Sequence, residues 1–408
     1  MIKINRKEDC VGCNACVQRC PKNCISMHED EQGFLYPQVN LDLCIDCHLC
    51  EKVCPVINQA EPGKPLQTFA AKNLDDKIRK ASSSGGIFFA LAKNIIEDSG
   101  VVFGAKFNNR WEVVHAYSET LDGIKNFQGS KYVQSRIGES FLKAEEFLKA
   151  ERRVMFTGTP CQIAGLKRFL RKDYPNLLTV DFVCHGVPSP LVWRDYLKYI
   201  TQGQAILNEE KIRHQSTSRD AELPTITCIR FRDKRISWEN FGLAIRTSSK
   251  LTSENNELLF EPLNKNLFMQ GFLKDLYLRP SCYDCPAKQC KSHSDISLGD
   301  FWGIKSIDKD AHDSTGVSLI LTNTQKGLDI FRQVIEWFKV ESFEKAITLN
   351  PAIVHSCKKP KLYNEFWNNY SIDGVEAIAP IVNKIKPSYI KIISRRVLGK
   401  ISRILTLK

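Results

Sequence analysis

Residues 10–21 read CVGCNACVQRCP and residues 44–55 read CIDCHLCEKVCP. The first run carries Cys10, Cys13, Cys16 and Cys20; the second repeats the spacing at Cys44, Cys47, Cys50 and Cys54, each closed by proline. Three closely spaced thiolates wrap one face of a cubane, and the fourth, ahead of the proline, reaches across to the other cluster. The spacing therefore predicts two [4Fe–4S] clusters. One rests on Cys10, Cys13, Cys16 and Cys54, the other on Cys44, Cys47, Cys50 and Cys20. Zinc is the alternative, but it uses ligand pairs separated by longer loops, often with histidine. Cys24, outside both runs, reads as a small buried residue beside a cluster, and the stretch between Cys20 and Cys44 as a hairpin.

The whole chain sets the context. At 408 residues, 43% hydrophobic and 25% charged, it has the composition of two or three globular domains. The opening MIKINRKEDC forms no signal peptide, and no apolar run reaches the roughly 18 residues of a membrane span. Cluster thiolates need reducing conditions, so the expected compartment is the cytoplasm. The net charge is +12, yet eight uncompensated basic residues lie between Ala377 and the end, and without them the remainder carries +4. With no zinc finger, RNA-recognition signature or basic aromatic stripe, nucleic acid is not an expected partner.

After the Pro/Gly-rich linker Glu61–Pro65 the pattern turns to mixed α/β. An apolar helix is expected over Ile87–Glu97, strands over Val101–Phe107 and Trp111–Tyr117, and helices over Glu139–Glu151 and Cys161–Lys172. Further strands are expected over Arg152–Phe156, Leu177–Val183 and Val317–Thr322, with a helix over Lys326–Val340. The strand–helix–strand stretch from Arg152 to Val183 has the length of a βαβ unit, whose loops share one sheet edge. Cys161 and Cys184 follow its two strands, so topology brings them to one rim. Cys282 and Cys285 complete a four-thiolate site, read as a third [4Fe–4S] cluster, with Cys290 a rival ligand and a zinc knuckle or free thiols the alternatives. Ser82–Gly86 at a helix start offers unpaired N–H groups, hydroxyls and space for a phosphate, although a plain serine cap has the same look. The polar loop Gly129–Ser135 could place a lysine near a flavin. A glycine-rich dinucleotide fingerprint is missing, so any flavin is bound another way.

Taken together, the segments FTGTPCQ (156–162), CHGVP (184–188), Cys282-x2-Cys285 and SDISLGDFWG (294–303) resemble the family of coenzyme F420 hydrogenase/dehydrogenase beta subunits. The likeness runs from about residue 68 to beyond 350, with the ferredoxin module in front. It implies an α+β ferredoxin-like cluster domain followed by an α/β flavoprotein domain with a mixed sheet. It implies FAD, contacted by Ser83, Ser84, Gly85 and Gly86, by Lys131, Tyr132 and Gln134, and by Thr157, Gly158, Thr159 and Pro160. It also places the family cluster on Cys161, Cys184, Cys282 and Cys285. The CHGVPSP and GDFWG versions are similar to a bacterial branch associated with surface-polysaccharide loci, which makes coenzyme F420 itself a doubtful substrate. The expected division is a two-[4Fe–4S] ferredoxin domain over residues 1–60 and a flavin-binding α/β domain beginning at 66–200. An insertion with a hairpin (strands 226–232 and 241–247) occupies 201–275. The rest of the flavoprotein domain, with its cluster motif, fills 276–380, and a tail follows at 381–408.

The expected function is an iron–sulfur flavoprotein oxidoreductase passing electrons between a ferredoxin-type carrier or partner oxidoreductase and a small-molecule or sugar-type substrate. A non-catalytic electron-transfer protein that feeds a partner enzyme is the competing reading; a zinc-stabilised interaction protein is a third. His185, beside Cys184, is the candidate proton donor, against a plain hydrogen bond to sulfur or backbone. In the tail, Ile390, Ile393, Val397, Ile401 and Ile404 fall on one helical face and Arg395, Arg396, Lys400 and Arg403 mainly on the other. That pattern suits peripheral contact with the inner face of a membrane, or docking on the chain's own domain.

Overall fold

The computed structural model describes residues 1–213, 225–248 and 255–385. Tail residues 386–408, which carry most of the basic amphipathic pattern, lie outside that set. At the N terminus, β1 (Ile25–Glu29) and β2 (Leu35–Val39) form the expected antiparallel hairpin. Short helices Ala15–Gln18 and Leu49–Lys52 end the two cysteine loops.

The main body is built on eight strands: β3 (Gln67–Lys72), β4 (Val101–Phe107), β5 (Val113–Ser118), β6 (Val154–Gly158), β7 (Leu177–Phe182), β11 (Ile296–Asp300), β12 (Ser318–Thr322) and β13 (Trp337–Glu341). Their order is β13-β3-β12-β11-β7-β6-β4-β5. The centre (β4, β6, β7, β11) is parallel and the flanks are antiparallel, so the sheet is mixed. Alternation explains the layering, because successive residues of a strand face opposite sides. Val101, Phe103, Val154 and Phe156 pack on helices Ser140–Lys149 and Pro160–Leu170. Val102 and Met155 face helices Ile87–Glu97 and Gln325–Val334 on the other side.

The insertion forms a separate antiparallel sheet of β8 (Thr225–Asp233), β9 (Gly242–Ser248) and β10 (Asn255–Pro262). The expected hairpin is its first two strands, and β10 adds a third. One expectation fails. The helix read over Lys326–Val340 stops at Val334, and Trp337–Glu341 is an edge strand on β3. Aromatic and β-branched residues suit a pleated half-buried surface; the ring of Phe338 lies 5.3 Å from both Phe69 and Phe331.

The ferredoxin module packs directly on the sheet domain. Gly165, inside the Pro160–Leu170 helix, has no room for a side chain: a Cβ would stand 2.8 Å from Cys13 Cβ and 2.9 Å from its Sγ. Glycine in a helix interior costs about 1 kcal/mol against alanine, and here the close approach of Cys13 demands it. Cys161 lies one turn earlier on the same helical face.

Candidate functional site

Each cysteine run has bent its loop around a cavity. Cys10, Cys13, Cys16 and Cys54 line one; Cys20, Cys44, Cys47 and Cys50 line the other, with Cys24 beside them. This is the crossed allotment that the spacing predicts. The loops reach it through left-handed residues, Gly12 (φ 68°), Asn14 (φ 65°) and His48 (φ 55°). Backbone N–H groups point at sulfur, Ile2 N at Cys50 Sγ (3.2 Å) and Gly12 N at Cys10 Sγ (3.4 Å). Burial, reinforced by neighbouring sulfurs, pushes the Cys13 and Cys16 thiols well up from their usual range. Such a donor set needs a cationic core to become thiolate. The thiols ring each cavity. The donor chemistry therefore fits a multi-iron cluster at each.

The third cavity, about 680 Å³ including its open mouth, gathers Cys161, Cys184, Cys282, Cys285 and Cys290. Cys161 is the second residue of the helix that follows β6, held by a capping box between Thr159 and Gln162; Cys184 follows β7. The βαβ argument thus delivers both to one rim. Cys282 lies in the turn Pro280–Asp284, which Cys285 closes; Ser356 Oγ accepts from Cys285 N (2.9 Å). Burial lifts Cys161 to about 11, while the positive charge of Arg279 works the other way. Five thiols still compete for four positions. A sixth, Cys357, sits 3.3 Å from the His185 carbonyl and 3.4 Å from that of Cys282, and no spacing in the sequence announces it.

His185 lines the same cavity, but its side chain is 43% exposed and its Nε2 lies 2.6 Å from Asp275 Oδ1. The Asp275 partner was not legible in the sequence. His185 stands edge-on to Phe272 at 5.4 Å, and Phe272 stacks on Tyr132 at 5.0 Å. An aromatic chain therefore joins the third cavity to the Lys131 loop.

Asp181, buried in the same wall, keeps its proton to about pH 6, because burial outweighs the Ser292, Ser297 and Ser294 hydroxyls. An unfolded aspartate ionises near pH 4. Between those values the fold retains a proton that the unfolded chain has released, so stability falls as pH rises. Asp181→Asn apoprotein should melt with the native apoprotein at pH 4.5 and above it at pH 7.5 in differential scanning calorimetry.

The third group of expected residues lies around the start of helix Ile87–Glu97. Ser83 Oγ accepts from Ser130 N (2.7 Å) and Ser130 Oγ (2.9 Å), which joins the serine loop to the Gly129–Ser135 loop. Ser84 Oγ donates to the Val317 carbonyl, and Gly85 N to Ser318 Oγ. A Cβ on Gly85 would stand 2.6 Å from the Ala71 carbonyl. Gly86 (φ 82°) caps the helix without a side-chain acceptor, so first-turn N–H groups are left for an anion. Among the described residues Lys131 Nζ meets only carbonyls, those of Gln128 and Gly129 at 3.1 Å and of Phe127, and burial brings its pKa down to about 7. Thr157 Oγ1 donates to Phe103 O, and the Thr157 carbonyl faces His115 Nε2 at 3.0 Å. Gly158, Thr159 and Pro160 carry the chain from β6 into the next helix. Gln134 has gone elsewhere: it contacts the ferredoxin module, donating to Val11 O and accepting from Arg279.

Sequence reasoning missed several groups here. Lys234 Nζ donates to Arg79 O (2.7 Å) and Thr315 O (2.8 Å) and lies near Ser84 O; burial lowers its pKa to about 8. Arg232 pairs with Asp300, whose other oxygen accepts from Trp238 Nε1 at 2.9 Å, and Trp238 stacks on Trp302 at 5.2 Å. His115, 8% exposed, has burial holding its pKa near 4, and its Nδ1 has no partner among the described residues. Lys131 and Lys234 form no ion pair among the described residues, although Asp300 and Asp313 act on Lys234 from farther off; the surroundings of the serine loop suit an anionic, phosphate-bearing cofactor.

Comparison with known proteins adds the context. Residues 151–346 match the family model for coenzyme F420 hydrogenase/dehydrogenase that describes the C terminus of the beta subunit. Residues 9–58 match a 4Fe-4S dicluster domain. An F(420)H(2) dehydrogenase subunit of Methanosarcina mazei is 24% identical over 196 residues, 45% of this chain and 55% of that one. The coenzyme F420-dependent sulfite reductase of Methanocaldococcus jannaschii is 26% identical over 205 residues, 48% and 31% of the two chains. The chain thus spans about half, or less, of the length of these relatives. A ferredoxin 7Fe of Hydrogenibacillus schlegelii is 45% identical over 51 residues, 12% of this chain and 59% of its own. Among solved structures, a chain of the F420-reducing [NiFe] hydrogenase complex from Methanosarcina barkeri overlaps 71% of this chain and 91% of its own, at 18% identity and a TM-score of 0.43. Among the described residues no helix is long and apolar enough to cross a membrane. With the two family models falling on the sheet domain and on the cysteine loops, residues 151–346 form a domain of the kind found at the C terminus of coenzyme F420 hydrogenase/dehydrogenase beta subunits, and a 4Fe-4S dicluster domain stands ahead of it.

Proposed function

We propose that this protein is an iron–sulfur flavoprotein oxidoreductase relaying electrons between a ferredoxin-type carrier or partner oxidoreductase and an organic substrate. The observation that carries the reading is the grouping of thiols into three cavities, two of them joined by one helix that bears Cys161 at its start and packs Gly165 against Cys13. The ligand sets are Cys10, Cys13, Cys16 and Cys54; Cys20, Cys44, Cys47 and Cys50; and Cys161, Cys184, Cys282 and Cys285. Iron–sulfur centres there would supply single-electron transfer. Cys47 is exposed, and Leu41, Leu43 and Ile45 near it are exposed as well, which supports that face as the carrier's docking site.

FAD is the proposed partner of the serine loop, and when bound it would exchange electrons singly or in pairs. The chain's own part is to hold it. First-turn N–H groups of the Ile87–Glu97 helix and Lys131 would hold the phosphates, and Tyr132 and Phe272 would keep water from the path to the third cavity. His185, paired with Asp275, is the proposed proton donor. Lys131→Met should weaken flavin retention about tenfold to a hundredfold, the worth of one charged hydrogen bond, with iron content unchanged; flavin fluorescence released on dilution measures it.

A second reading has its own support. The Methanosarcina mazei relative is by name a subunit, so the chain would feed a partner that does the chemistry. Anaerobically purified protein decides. About twelve irons and one flavin per chain are expected, with flavin redox change on adding a small substrate alone. A bleachable flavin that responds only to a partner protein favours the second reading; colourless, zinc-loaded protein defeats both. The membrane proposal for the tail is tested by deleting residues 384–408, which should abolish sedimentation with anionic vesicles.

A further inference from the structure

Among the described residues two arginines are almost completely enclosed. Arg232 has the carboxylate of Asp300 beside it. Arg279, 1% exposed, has none. Its Nε donates to the Cys10 carbonyl (2.7 Å), Nη1 to Gln134 Oε1 (2.9 Å) and Nη2 to the Leu35 carbonyl (2.9 Å), all neutral acceptors. The Tyr36 ring lies 4.4 Å from the guanidinium carbon. Among the described residues no carboxylate comes within ion-pair distance of it. A guanidinium cannot shed its proton to escape burial, and a buried charge without a counter-charge is strongly unfavourable. The missing negative charge must come from something that binds here.

The position of Arg279 says what that is. It lies between two of the thiol cavities. On one side it lines the cavity of Cys161, Cys184, Cys282 and Cys285, and its carbonyl accepts from Cys282 N at 2.8 Å. On the other it holds the Cys10 carbonyl, and the cluster loop has made way for it: a Cβ on Gly12 would stand 2.8 Å from Nη1. A four-iron centre on four thiolates is anionic in both oxidation states, and taking up one electron adds one more unit of negative charge. Net charge and hydrogen bonding around such a centre set its potential.

We propose that Arg279 is the shared counter-ion of two iron–sulfur centres, that of Cys10, Cys13, Cys16 and Cys54 and that of Cys161, Cys184, Cys282 and Cys285, and holds both at higher potential. The inference rests on the cluster reading above and adds a positioning residue to it. A positive charge between the two stabilises the extra electron on either, so they are raised together while the Cys44 centre is not.

The test is an anaerobic redox titration of full-length, cluster-loaded protein followed by electron paramagnetic resonance. Arg279→Met should move the midpoints of the first and third centres to more negative values and leave the Cys44 centre in place. Arg279→Lys, which keeps the charge and loses the fork, should restore most of the shift. Unchanged midpoints, an equal shift of all three centres, or a lysine variant displaced as far as the methionine one would each overturn the proposal. If Arg279→Met fails to hold its iron, Gln134→Glu decides. It sets a carboxylate against Nη1 and neutralises the guanidinium in place, so the same two midpoints should fall; their constancy overturns the idea. Native protein that binds no iron removes the cluster reading instead, a result distinct from all of these.

Discussion

Cys54→Ser protein should lose the iron of the cavity that Cys10, Cys13 and Cys16 line, although residue 54 belongs to the second cysteine run. Cys20→Ser should lose the other. In each case iron and labile sulfide fall by about a third, from about twelve irons to about eight. The reason is geometric. The cysteine before each proline stands in the cavity of the opposite run, so deleting it opens a centre whose other three ligands are untouched. The two variants also differ in consequence. The Cys54 centre is the one packed on Gly165, one helical turn from Cys161, so its loss should leave the third centre unreduced by a carrier that docks at Cys47. Cys24→Ser is the control. Cys24 Sγ is 3.3 Å from Cys20 Sγ and lines the second cavity, yet as a packing residue it should keep full iron. Paramagnetic spectra after dithionite, with iron and sulfide assays, distinguish the three. If both serine variants erase the same signal, the crossed ligation is wrong.

The gathering of the eight N-terminal cysteines around two cavities was legible because such a loop is local: the spacing within a dozen residues bends each run around one centre. The meeting of Cys161 and Cys184 was legible for a different reason. Parallel strands put their following loops on one edge, and that needs only strand direction. What stayed hidden depends on contacts between distant segments. Arg279 lies 269 residues from the Cys10 carbonyl it binds, and nothing around it separates it from a surface arginine. Cys357 and Asp275 reach residues that line the third cavity from loops with no motif. Trp337–Glu341 was lost to the helical period before it, since a short apolar run fits either element and only pairing with β3 settles it. The stretch Glu61–Pro65 reads as a linker without regular structure, yet Gly63 N donates to the Gln289 carbonyl at 2.9 Å and His293 Nε2 lies 2.9 Å from that of Glu61. Proline and glycine signalled the absence of regular structure there, which is not the absence of contact.

Asp300→Asn should be among the most damaging single changes in the sheet domain, at about 3–5 kcal/mol, the usual cost of stripping one partner from a buried ion pair. The Arg232 side chain is 1% exposed, with the Phe241 ring 4.4 Å and the Trp302 ring 5.2 Å from its guanidinium carbon. Asparagine preserves the shape and can still accept from Trp238 Nε1, so the loss isolates the charge. Because Arg232 sits in β8 and Asp300 ends β11, the pair fastens the inserted sheet to the central one. A multidomain chain need not unfold in one step, so the measurement is amide hydrogen exchange. Protection should fall in β8 and β9 first, while the cysteine loops keep theirs. Arg232→Met combined with Asp300→Leu removes both charges and should be less destabilised than Asp300→Asn alone, since an apolar pair in place of a buried salt bridge is often neutral or better. A double variant weaker than the single one would mean the pair fixes geometry rather than charge. Lys234 and Ser84 lie against the same wall, so flavin retention in Asp300→Asn should fall along with that protection and return in the double variant only as far as the wall recovers its shape.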